Sequence, residues 1–306
     1  MQKAEFRMPE KTEKELREDQ ELIASLKKDP AVKKLLEKEE IPESVLEDRA
    51  YTFKRWRKEV APCLGCKALS ECRQKRKGYR MGLSYDGLLQ ETMQACPYER
   101  EAEQKTAHLS NYLISDLGEE LSCVRFREIR MSGESKEYTD AVLKVSTACE
   151  NHQGIYLYGP MGTGKTYLAA CAANYVAGFD GRPAFVHVPS WADRVNATYY
   201  SGEFRTEVSR MKFADLLVLD DIGSEEVTDR LRSLLLSVLD ARMQNHRMTW
   251  FTSNEDFTSL KDHFTVSSKG NEDVMESERI MERIRVLAEP VFLAGNDRRH
   301  LYQSTE

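Results

Sequence analysis

The segment GPMGTGKT, residues 159–166, constrains the fold of this chain more than any other feature. It follows an apolar, strand-length run that ends at Tyr158, and it precedes a helical run of small residues, LAACAANYVA. Its spacing is that of a P-loop, in which glycines let successive backbone N–H groups and a helix N-terminus converge on phosphates. The segment therefore predicts an α/β fold that binds a nucleoside triphosphate. A glycine turn that only opens an ordinary helix is the alternative.

The residue types in this segment suit a nucleotide that carries a divalent cation. Lys165 is expected to neutralise the β- and γ-phosphates, and the hydroxyl of Thr166 to bind Mg²⁺. The predicted nucleotide-binding residues are Gly159, Pro160, Met161, Gly162, Thr163, Gly164, Lys165 and Thr166, together with Asp220, which follows a later apolar run.

That later run, residues 216–221, reads LLVLDD and ends in two carboxylates. Because Mg²⁺ prefers hard oxygen ligands, Asp220 is the expected metal-side group, and Asp221 is the candidate for orienting or deprotonating an attacking water. Glu is the commoner residue at the second position, so the shorter Asp221 predicts slow hydrolysis. A strand-terminal turn with solvated acids is the alternative.

Strand-length apolar runs alternate with helical segments through the second half of the chain. Parallel strands need crossover connections and become apolar throughout, so this rhythm predicts a five-stranded parallel sheet with helices on both faces. Asn254 follows one of these runs, where its amide would hold the nucleophilic water or contact the γ-phosphate; an ordinary loop turn is the alternative. The runs are residues 154–158, 184–188, 216–219, 248–252 and 290–293.

Four cysteines lie in a turn-rich segment that has few large apolar residues. Four thiolates suit a tetrahedral Zn²⁺ site, which would give this segment the core that it otherwise lacks. Buried reduced thiols and an iron–sulfur centre are the alternatives. The candidate zinc ligands are Cys63, Cys66, Cys72 and Cys96, whereas Cys123, Cys149 and Cys171 are interpreted as packing residues.

Composition and spacing divide the chain into four regions. The first is dense in Glu, Lys and Arg with apolar residues at helical spacing, which fits either a solvated helical hairpin or a docking arm for a partner. Asp29 and Pro30 are predicted to cap and begin a helix there, and residues 135–150 are predicted to form an amphipathic helix. The regions are a helical docking region (1–60), a cysteine module (61–98), a helical linker (99–134) and an ATPase domain (135–306).

Charge and hydropathy restrict the class of protein. The formal net charge is -6, which argues against a protein that coats duplex DNA, since such binding needs a cationic surface. No apolar run approaches the ~18 residues of a membrane-spanning helix, and the opening MQKAEFRMPEK lacks the apolar centre of a secretory signal. We therefore expect a cytoplasmic location, in which cysteines are thiols or metal ligands rather than disulfides.

Taken together, these segments resemble the AAA+ ATPases, and within them the bacterial replicative helicase loaders. The resemblance rests on GPMGTGKT, LLVLDDIGSEEVTDRLRSLLLSVLDARM, FTSN and SERIMERIRVLAEPVFL. It implies an AAA+ fold that hydrolyses ATP, Asn254 in the sensor-1 position and Arg283 as the finger that acts on a neighbouring subunit's nucleotide. A solvated helix face that pairs Arg283 with Glu282 is the alternative.

Two departures from the family pattern affect individual residues. Only residues 294–306 follow the last strand run, too few for a helical lid, so a reduced lid is expected and Arg298 is matched to the sensor-2 arginine. The family's zinc-binding amino-terminal domain includes a histidine ligand, but no histidine lies between Cys63 and Cys96. Cys72 is therefore assigned as the third ligand.

The resemblance also implies partners. They are a hexameric replicative DNA helicase bound through residues 1 to about 100, other primosome proteins, single-stranded DNA, and further copies of the chain arranged head to tail. Two other hypotheses are a stand-alone DNA-remodelling ATPase such as a transposition helper, and a zinc adaptor whose nucleotide site is only structural. By analogy with related loaders, the candidate DNA-contacting residues are Trp191, Arg194, Tyr199, Tyr200 and Arg205, with helix core and ordinary surface charge as the alternative.

Overall fold

The structure is a computed structural model that describes residues 12–198, 202–267, 270, 272–295 and 297–298. Its contacts divide the chain into two compact units, one up to Gln104 and one from Lys105 onward. This division falls inside the segment that the sequence suggested as a linker. None of the helices in the described ranges combines the length and the apolar character that a membrane crossing requires.

The first unit opens with helices that pack their apolar faces on one another. Asp29 accepts hydrogen bonds from the backbone N–H groups of Ala31 and Val32, and Pro30 is the first helical residue, which confirms the predicted cap. Phe53 is fully buried at the centre of this cluster. The helices are α1 (Glu13–Lys28), α2 (Pro30–Lys38), α3 (Glu43–Asp48) and α4 (Ala50–Val60).

The cysteine segment contains tight turns and an antiparallel β-hairpin that the sequence analysis did not predict. Gly87 turns the hairpin with a φ of 98°, a conformation that favours glycine. Leu83 is buried and packs in the same apolar cluster as the preceding helices, so the hairpin shares their core. Its strands are β1 (Tyr79–Tyr85) and β2 (Leu89–Ala95), and α5 (Pro97–Thr106) follows.

The second unit alternates strands and helices, as the apolar runs predicted. Ser135 caps the helix predicted over residues 135–150 by accepting the backbone N–H of Tyr138. The elements are β3 (Ile114–Ser115), α6 (Lys136–Glu150), β4 (Ile155–Tyr158), α7 (Lys165–Gly178), β5 (Ala184–His187), α8 (Val188–Thr198), α9 (Gly202–Phe213), β6 (Leu216–Asp220), α10 (Asp229–Gln244), β7 (Met248–Ser253), α11 (Phe257–Thr265), α12 (Val274–Leu287) and β8 (Glu289–Phe292).

The described strands of this unit form a parallel sheet of six strands, so the prediction of five was wrong by one edge strand. The additional strand is β3, where Ile114 and Ser115 pair with Ala184 and Phe185 of β5. A strand of two residues is too short to form a recognisable apolar run, so no pattern in the sequence predicts it. The other five strands lie at the predicted positions.

Strand order places the predicted site at the carboxyl ends of the inner strands of this sheet. The order is β3-β5-β6-β7-β4-β8, so β6, β7 and β4 are adjacent. Every residue of β6 and β7 is buried, as expected for central parallel strands covered on both faces. The carboxyl ends of these three strands bring together the loop after Tyr158, the two carboxylates after Leu219, and Asn254.

Candidate nucleotide-binding site

The predicted P-loop forms the turn between β4 and α7. Gly159, Gly162 and Gly164 have φ values of 147°, 79° and 99°, all in the region that favours glycine. A Cβ on Gly162 would lie 2.2 Å from the side chain of Asp297, and a Cβ on Gly159 would lie 2.5 Å from a backbone oxygen. Backbone conformation therefore favours glycine at both positions, and the contact with a backbone oxygen also excludes a side chain at Gly159.

The amine of Lys165 is buried and fully engaged with oxygen acceptors. It donates to the carbonyl oxygens of Gly159 (2.9 Å) and Pro160 (2.8 Å) and to Oδ1 of Asn254 (2.9 Å). Burial lowers the pKa of Lys165, and the charges of Asp221 and Asp220 oppose that shift. Phosphate oxygens carry more negative charge than these neutral acceptors, so they can replace them on the ammonium group.

Asp220 is the last residue of β6, and its carboxylate is buried. Burial raises the pKa of Asp220, whereas hydrogen bonds from Thr252 and Thr166 lower it. The hydroxyl of Thr252 donates to Oδ1 at 2.6 Å. The structure thus brings Asp220 and Thr166, the two predicted magnesium ligands, next to each other.

Asn254 joins the P-loop lysine to the second carboxylate. Its amide oxygen accepts from Lys165, and its amide nitrogen donates to Oδ1 of Asp221 at 3.2 Å. Asp221 has a φ of 58°, a left-handed conformation that a non-glycine residue rarely adopts. Strained backbone of this kind is common at functional sites, and here it turns Asp221 toward the same pocket as Asn254.

A cavity of about 390 Å³ opens at this edge of the sheet. Thr163 does not line it; its hydroxyl donates to the carbonyl of Pro160 at 3.0 Å and so holds the loop. Gly159 and Pro160 contribute carbonyl oxygens to Lys165 rather than surface to the cavity. The predicted residues that line it are Met161, Gly162, Gly164, Lys165, Thr166, Asp220, Asp221 and Asn254.

The cavity is also lined by two residues that were not predicted to belong to it, His187 and Thr252. His187 ends β5 opposite Asp220 in the strand register, and its Nδ1 lies 2.8 Å from Oγ of Ser190. His187 could have been predicted, because it is a polar residue at the carboxyl end of a parallel strand, where ligands bind in α/β folds. Thr252 is one of three hydroxyl residues on β7, and nothing in the local sequence distinguishes it from Thr249.

Arg298 reaches the P-loop, at the position matched to a sensor-2 arginine. Its backbone N–H donates to the carbonyl of Gly162 at 2.8 Å. Its guanidinium pairs with Glu134 and lies over the ring of Tyr138, 3.7 Å from the centroid. Residues 293–295 and 297–298, the part after β8 that the structure describes, contain no helix, and Arg298 lines the cavity itself.

Arg283 is engaged within its own chain. Its Nε donates to Oδ1 of Asp240 on α10 at 2.9 Å, and Nη1 donates to Glu282 at 2.6 Å. The hydrogen bond with Asp240 is the main cause of a raised pKa of Arg283. Arg279, one helical turn earlier, is exposed and pairs with no carboxylate among the described residues.

The candidate DNA-contacting residues have different environments. Trp191 is completely buried in the core, so its ring cannot stack on a base, and that prediction was wrong. Arg194 forms ion pairs with Asp116 and Glu207. Arg205 is exposed, while Tyr199 and Tyr200 lie outside the described residues.

The four cysteines predicted to bind zinc meet at one cavity of about 230 Å³ in the first unit. They are present as free thiols. In the part of the chain that the structure describes, no three His, Cys, Asp or Glu side chains form an arrangement that could hold a metal ion. The cavity is lined by Cys63, Cys66, Cys72 and Cys96 together with parts of the hairpin.

Nitrogen donors point at three of these sulfur atoms. The backbone N–H of Gly78 donates to Sγ of Cys72 at 3.3 Å, and this bond is the main cause of a lowered pKa of Cys72. The N–H of Glu99 donates to Cys96 at 3.4 Å, and the amide of Gln74 donates to Cys63 at 3.1 Å. Such N–H donors stabilise thiolate sulfur, but the described side chains do not form a metal site in this arrangement.

Cys149 and Cys171 are both buried, Cys149 within the apolar cluster that packs on the sheet, which confirms their interpretation as packing residues. Burial raises the pKa of Cys149 to about 12 and raises the pKa of Cys171 as well. Both thiols therefore stay protonated and unreactive near neutral pH. Cys123 is half-buried, and its thiol approaches the carbonyl of Lys105.

Comparison with known proteins identifies the family. Residues 89–301 match the family of IstB-like ATP binding proteins. The chain belongs to this family. It is 27% identical to the replicative helicase loader DnaI of Bacillus subtilis (strain 168) over 297 residues, which cover 95% of this chain and 93% of that protein.

Other relatives agree with this assignment. The crystal structure of a DnaI protein matches with a TM-score of 0.53 and 28% identity, over 64% of this chain and 100% of that one. A putative insertion sequence ATP-binding protein of Sinorhizobium fredii (strain NBRC 101917 / NGR234) is 26% identical over 56% of this chain and 67% of that protein. These matches confirm the predicted AAA+ fold and the resemblance to bacterial helicase loaders.

Proposed function

We propose that this chain is an ATP-dependent loader that binds a hexameric replicative DNA helicase and delivers it to single-stranded DNA. The extent of similarity carries this proposal: the match to the Bacillus subtilis loader covers 95% of the chain, so it includes the helical and cysteine-bearing first unit. The match to the insertion sequence protein covers 56%. A transposition helper would account for the ATPase unit but not for the first unit.

In this proposal the P-loop holds the phosphates of ATP. Lys165 exchanges its neutral acceptors for phosphate oxygens, and Asn254, released from the lysine, keeps its hydrogen bond to Asp221. Thr166 and Asp220 would hold Mg²⁺, which supplies charge neutralisation for the phosphates. Asp221 then orients the attacking water. Its short side chain favours slow hydrolysis by an isolated chain.

Subunit contact completes the site in this proposal. The chains assemble head to tail, and Arg283 leaves Asp240 to contact the γ-phosphate bound by the neighbouring chain. ATP binding and subunit contact would set the helicase-bound state, hydrolysis would reset it, and other primosome proteins would act on the assembled complex. The first unit supplies the docking surface for the helicase.

We also propose that Cys63, Cys66, Cys72 and Cys96 bind one Zn²⁺. The proposal is supported by their common cavity and by the nitrogen donors at three of the sulfur atoms, since hydrogen bonds of this kind stabilise thiolate ligands. A bound zinc ion would pull the thiolates together and give the hairpin end of the unit a rigid centre.

A helicase-loading assay with the full chain tests the proposed function. We expect the chain to form a complex with the replicative helicase of its own organism. We also expect it to increase the ATP-dependent release, by that helicase, of an oligonucleotide annealed to a single-stranded DNA circle. Lys165→Ala is expected to abolish nucleotide binding and loading while leaving the fold intact, and Lys144→Ala on the outer face of α6 serves as the matched control. No helicase complex at micromolar concentrations would contradict the proposal.

The same assay separates the alternatives. ATPase activity that DNA stimulates without helicase, combined with no helicase complex, would favour a stand-alone DNA-remodelling ATPase. Loading that survives Lys165→Ala would favour an adaptor whose nucleotide site is only structural.

A further inference from the structure

Thr252 is a buried polar residue in the middle of the nucleotide site, on an otherwise mostly apolar strand. It is 1% exposed and is the second-last residue of β7. Its hydroxyl donates to Oδ1 of Asp220 at 2.6 Å and accepts the backbone N–H of Asp221 at 2.9 Å. A hydroxyl has a single proton, so accepting the amide N–H leaves that proton for the carboxylate. The direction of both hydrogen bonds is therefore determined.

The bond to Asp220 fixes the rotation of a carboxylate that would bind the magnesium ion. One oxygen is held by Thr252, and the same carboxylate also takes a hydrogen bond from Thr166. Without Thr252 the carboxylate could turn about its Cβ–Cγ bond inside the pocket. A carboxylate that is already oriented loses less freedom when it binds a cation.

The bond to Asp221 fixes a backbone turn. Thr252 receives the N–H of Asp221 on its hydroxyl and the N–H of Ile222 on its carbonyl at 2.9 Å. These bonds hold Asp221 in its left-handed conformation, with a φ of 58°. Asn254, two residues further along, holds the side chain of Asp221 at 3.2 Å. Thr252 thus holds the backbone of Asp221, and Asn254, just after the end of β7, holds its carboxylate.

We infer that Thr252 is a positioning residue of the nucleotide site: one hydroxyl orients Asp220 for the metal and sets the backbone that directs Asp221 at the water. The inference deepens the proposed function and rests on it. Valine has nearly the same shape but would leave the N–H of Asp221 without its acceptor and the carboxylate of Asp220 without its donor. Serine keeps both hydrogen bonds and loses only a methyl group.

Magnesium titrations of nucleotide binding test the inference. The full chain and its variants are equilibrated with a fluorescent ATP analogue in EDTA and then at increasing Mg²⁺. For Thr252→Val we expect unchanged affinity in EDTA, because Lys165 and the P-loop are intact, and a requirement for about tenfold more Mg²⁺, the usual effect of losing an outer-sphere partner. Thr252→Ser should behave like the wild type.

Thr249→Val is the matched control, because Thr249 is also a fully buried hydroxyl on β7. Its partners are Arg242 and the carbonyl of Arg247, away from the nucleotide. We expect it to lower the melting temperature without changing the Mg²⁺ requirement. In steady-state hydrolysis, Thr252→Val should lower kcat by about tenfold with KM for ATP within about threefold of the wild type.

The outcomes are distinguishable. A Thr252→Val variant that is folded and has a wild-type Mg²⁺ requirement would overturn the inference while leaving the proposed function in place. If Thr252→Val does not fold, Thr252→Cys decides instead, since a thiol is a weak hydrogen-bonding group of similar size: a raised Mg²⁺ requirement supports the inference, and a wild-type one overturns it. A wild-type chain that binds no nucleotide would contradict the proposed function and this inference together.

Discussion

Arg283 is bound within its own chain in the structure and has a second partner only in the proposed assembly. Within a single chain it donates to Asp240 at 2.9 Å, which holds it against α10. In the proposed assembly the same donors contact a neighbour's phosphate. Asp240 therefore competes with the nucleotide for Arg283, and breaking this pair is part of the cost of subunit contact.

Removing that competition should favour the active assembly. We expect Asp240→Asn to raise ATP hydrolysis by up to about fivefold at chain concentrations where assembly is partial, because a partly exposed ion pair contributes ~1 kcal/mol or less. Arg283→Ala should reduce hydrolysis to the basal rate of isolated chains. ATPase rates measured over a dilution series check both, with Asp193→Asn on the exposed face of α8 as the control. Identical dilution curves for Asp240→Asn and the wild type would show that the ion pair between Arg283 and Asp240 does not limit assembly-dependent hydrolysis.

At the scale of elements, Asp29 connects two helices of the first unit. It caps α2 through the N–H groups of Ala31 and Val32, and its Oδ2 accepts from Nε of Arg57 on α4 at 2.6 Å. Burial alone would raise the pKa of Asp29, but the hydrogen bonds from Arg57 and the two amides outweigh burial and lower it. The ionised carboxylate thus stabilises the folded unit.

This pKa shift gives the stability a predictable pH dependence. Because the folded-state pKa lies below the unfolded one, the contribution of Asp29 is complete above about pH 4, the usual range for Asp, and is lost as the pH falls through the lower folded value. Asp29→Asn should cost about 1 kcal/mol at pH 7, since asparagine still caps but loses its charge toward Arg57. Urea unfolding at pH 7 and pH 3 should show the difference from wild type shrinking in acid. Asp48→Asn, which is exposed, should have little effect at either pH.

Helix α10 is attached to the sheet by a fully buried arginine. The side chain of Arg242 donates to the carbonyls of Met211, Ala214 and Met248 and to the hydroxyl of Thr249. These acceptors lie at the end of α9, in the turn before β6, and on β7. One guanidinium therefore joins α10 to three other parts of the ATPase unit through buried hydrogen bonds.

Losing this side chain should weaken the whole ATPase unit. Arg242→Met keeps most of the volume but leaves buried carbonyls without donors, so we expect a loss of ~2–4 kcal/mol in the free energy of unfolding. Arg247→Met, which removes an exposed ion pair with Asp215, should cost under ~1 kcal/mol. Denaturant melts of both variants provide the comparison, and equal midpoints would contradict a structural role for Arg242.

At the scale of the whole molecule, the seven cysteines fall into groups with different reactivity. The four cysteines of the cavity are partly exposed and three of them accept hydrogen bonds from nitrogen donors, whereas Cys149 and Cys171 are buried with raised pKa values. A bound zinc ion would protect only the cavity group.

Thiol labelling with and without zinc follows from this difference. After chelation, Cys63, Cys66, Cys72 and Cys96 should react quickly in the native protein, while Cys149 and Cys171 should react only after unfolding. Zinc should bind at one equivalent and block the cavity group, and the labelling of Cys123 should stay unchanged. Less than about half an equivalent of zinc, with labelling indifferent to the metal, would contradict the zinc proposal.

The sequence by itself determined the features that depend on local order. The P-loop, the two carboxylates at the end of β6, the helix cap at Asp29, the helix over residues 135–150 and five of the sheet strands were predicted at or within a residue of where they lie. Each depends on neighbours a few residues apart: a glycine where φ is positive, a side chain that bonds the next turn, or an unbroken apolar run.

The tertiary structure alone decided which distant residues meet. The edge strand β3 exists because β5 offers it a partner, and Trp191 is buried because its helix packs on the core. Likewise, the pairing of Arg283 with Asp240 and of Thr252 with Asp220 joins residues from different elements. Strand order and helix packing set such contacts, and no local pattern encodes them, since a buried hydroxyl or an exposed arginine has the same neighbours in sequence whatever it touches in space.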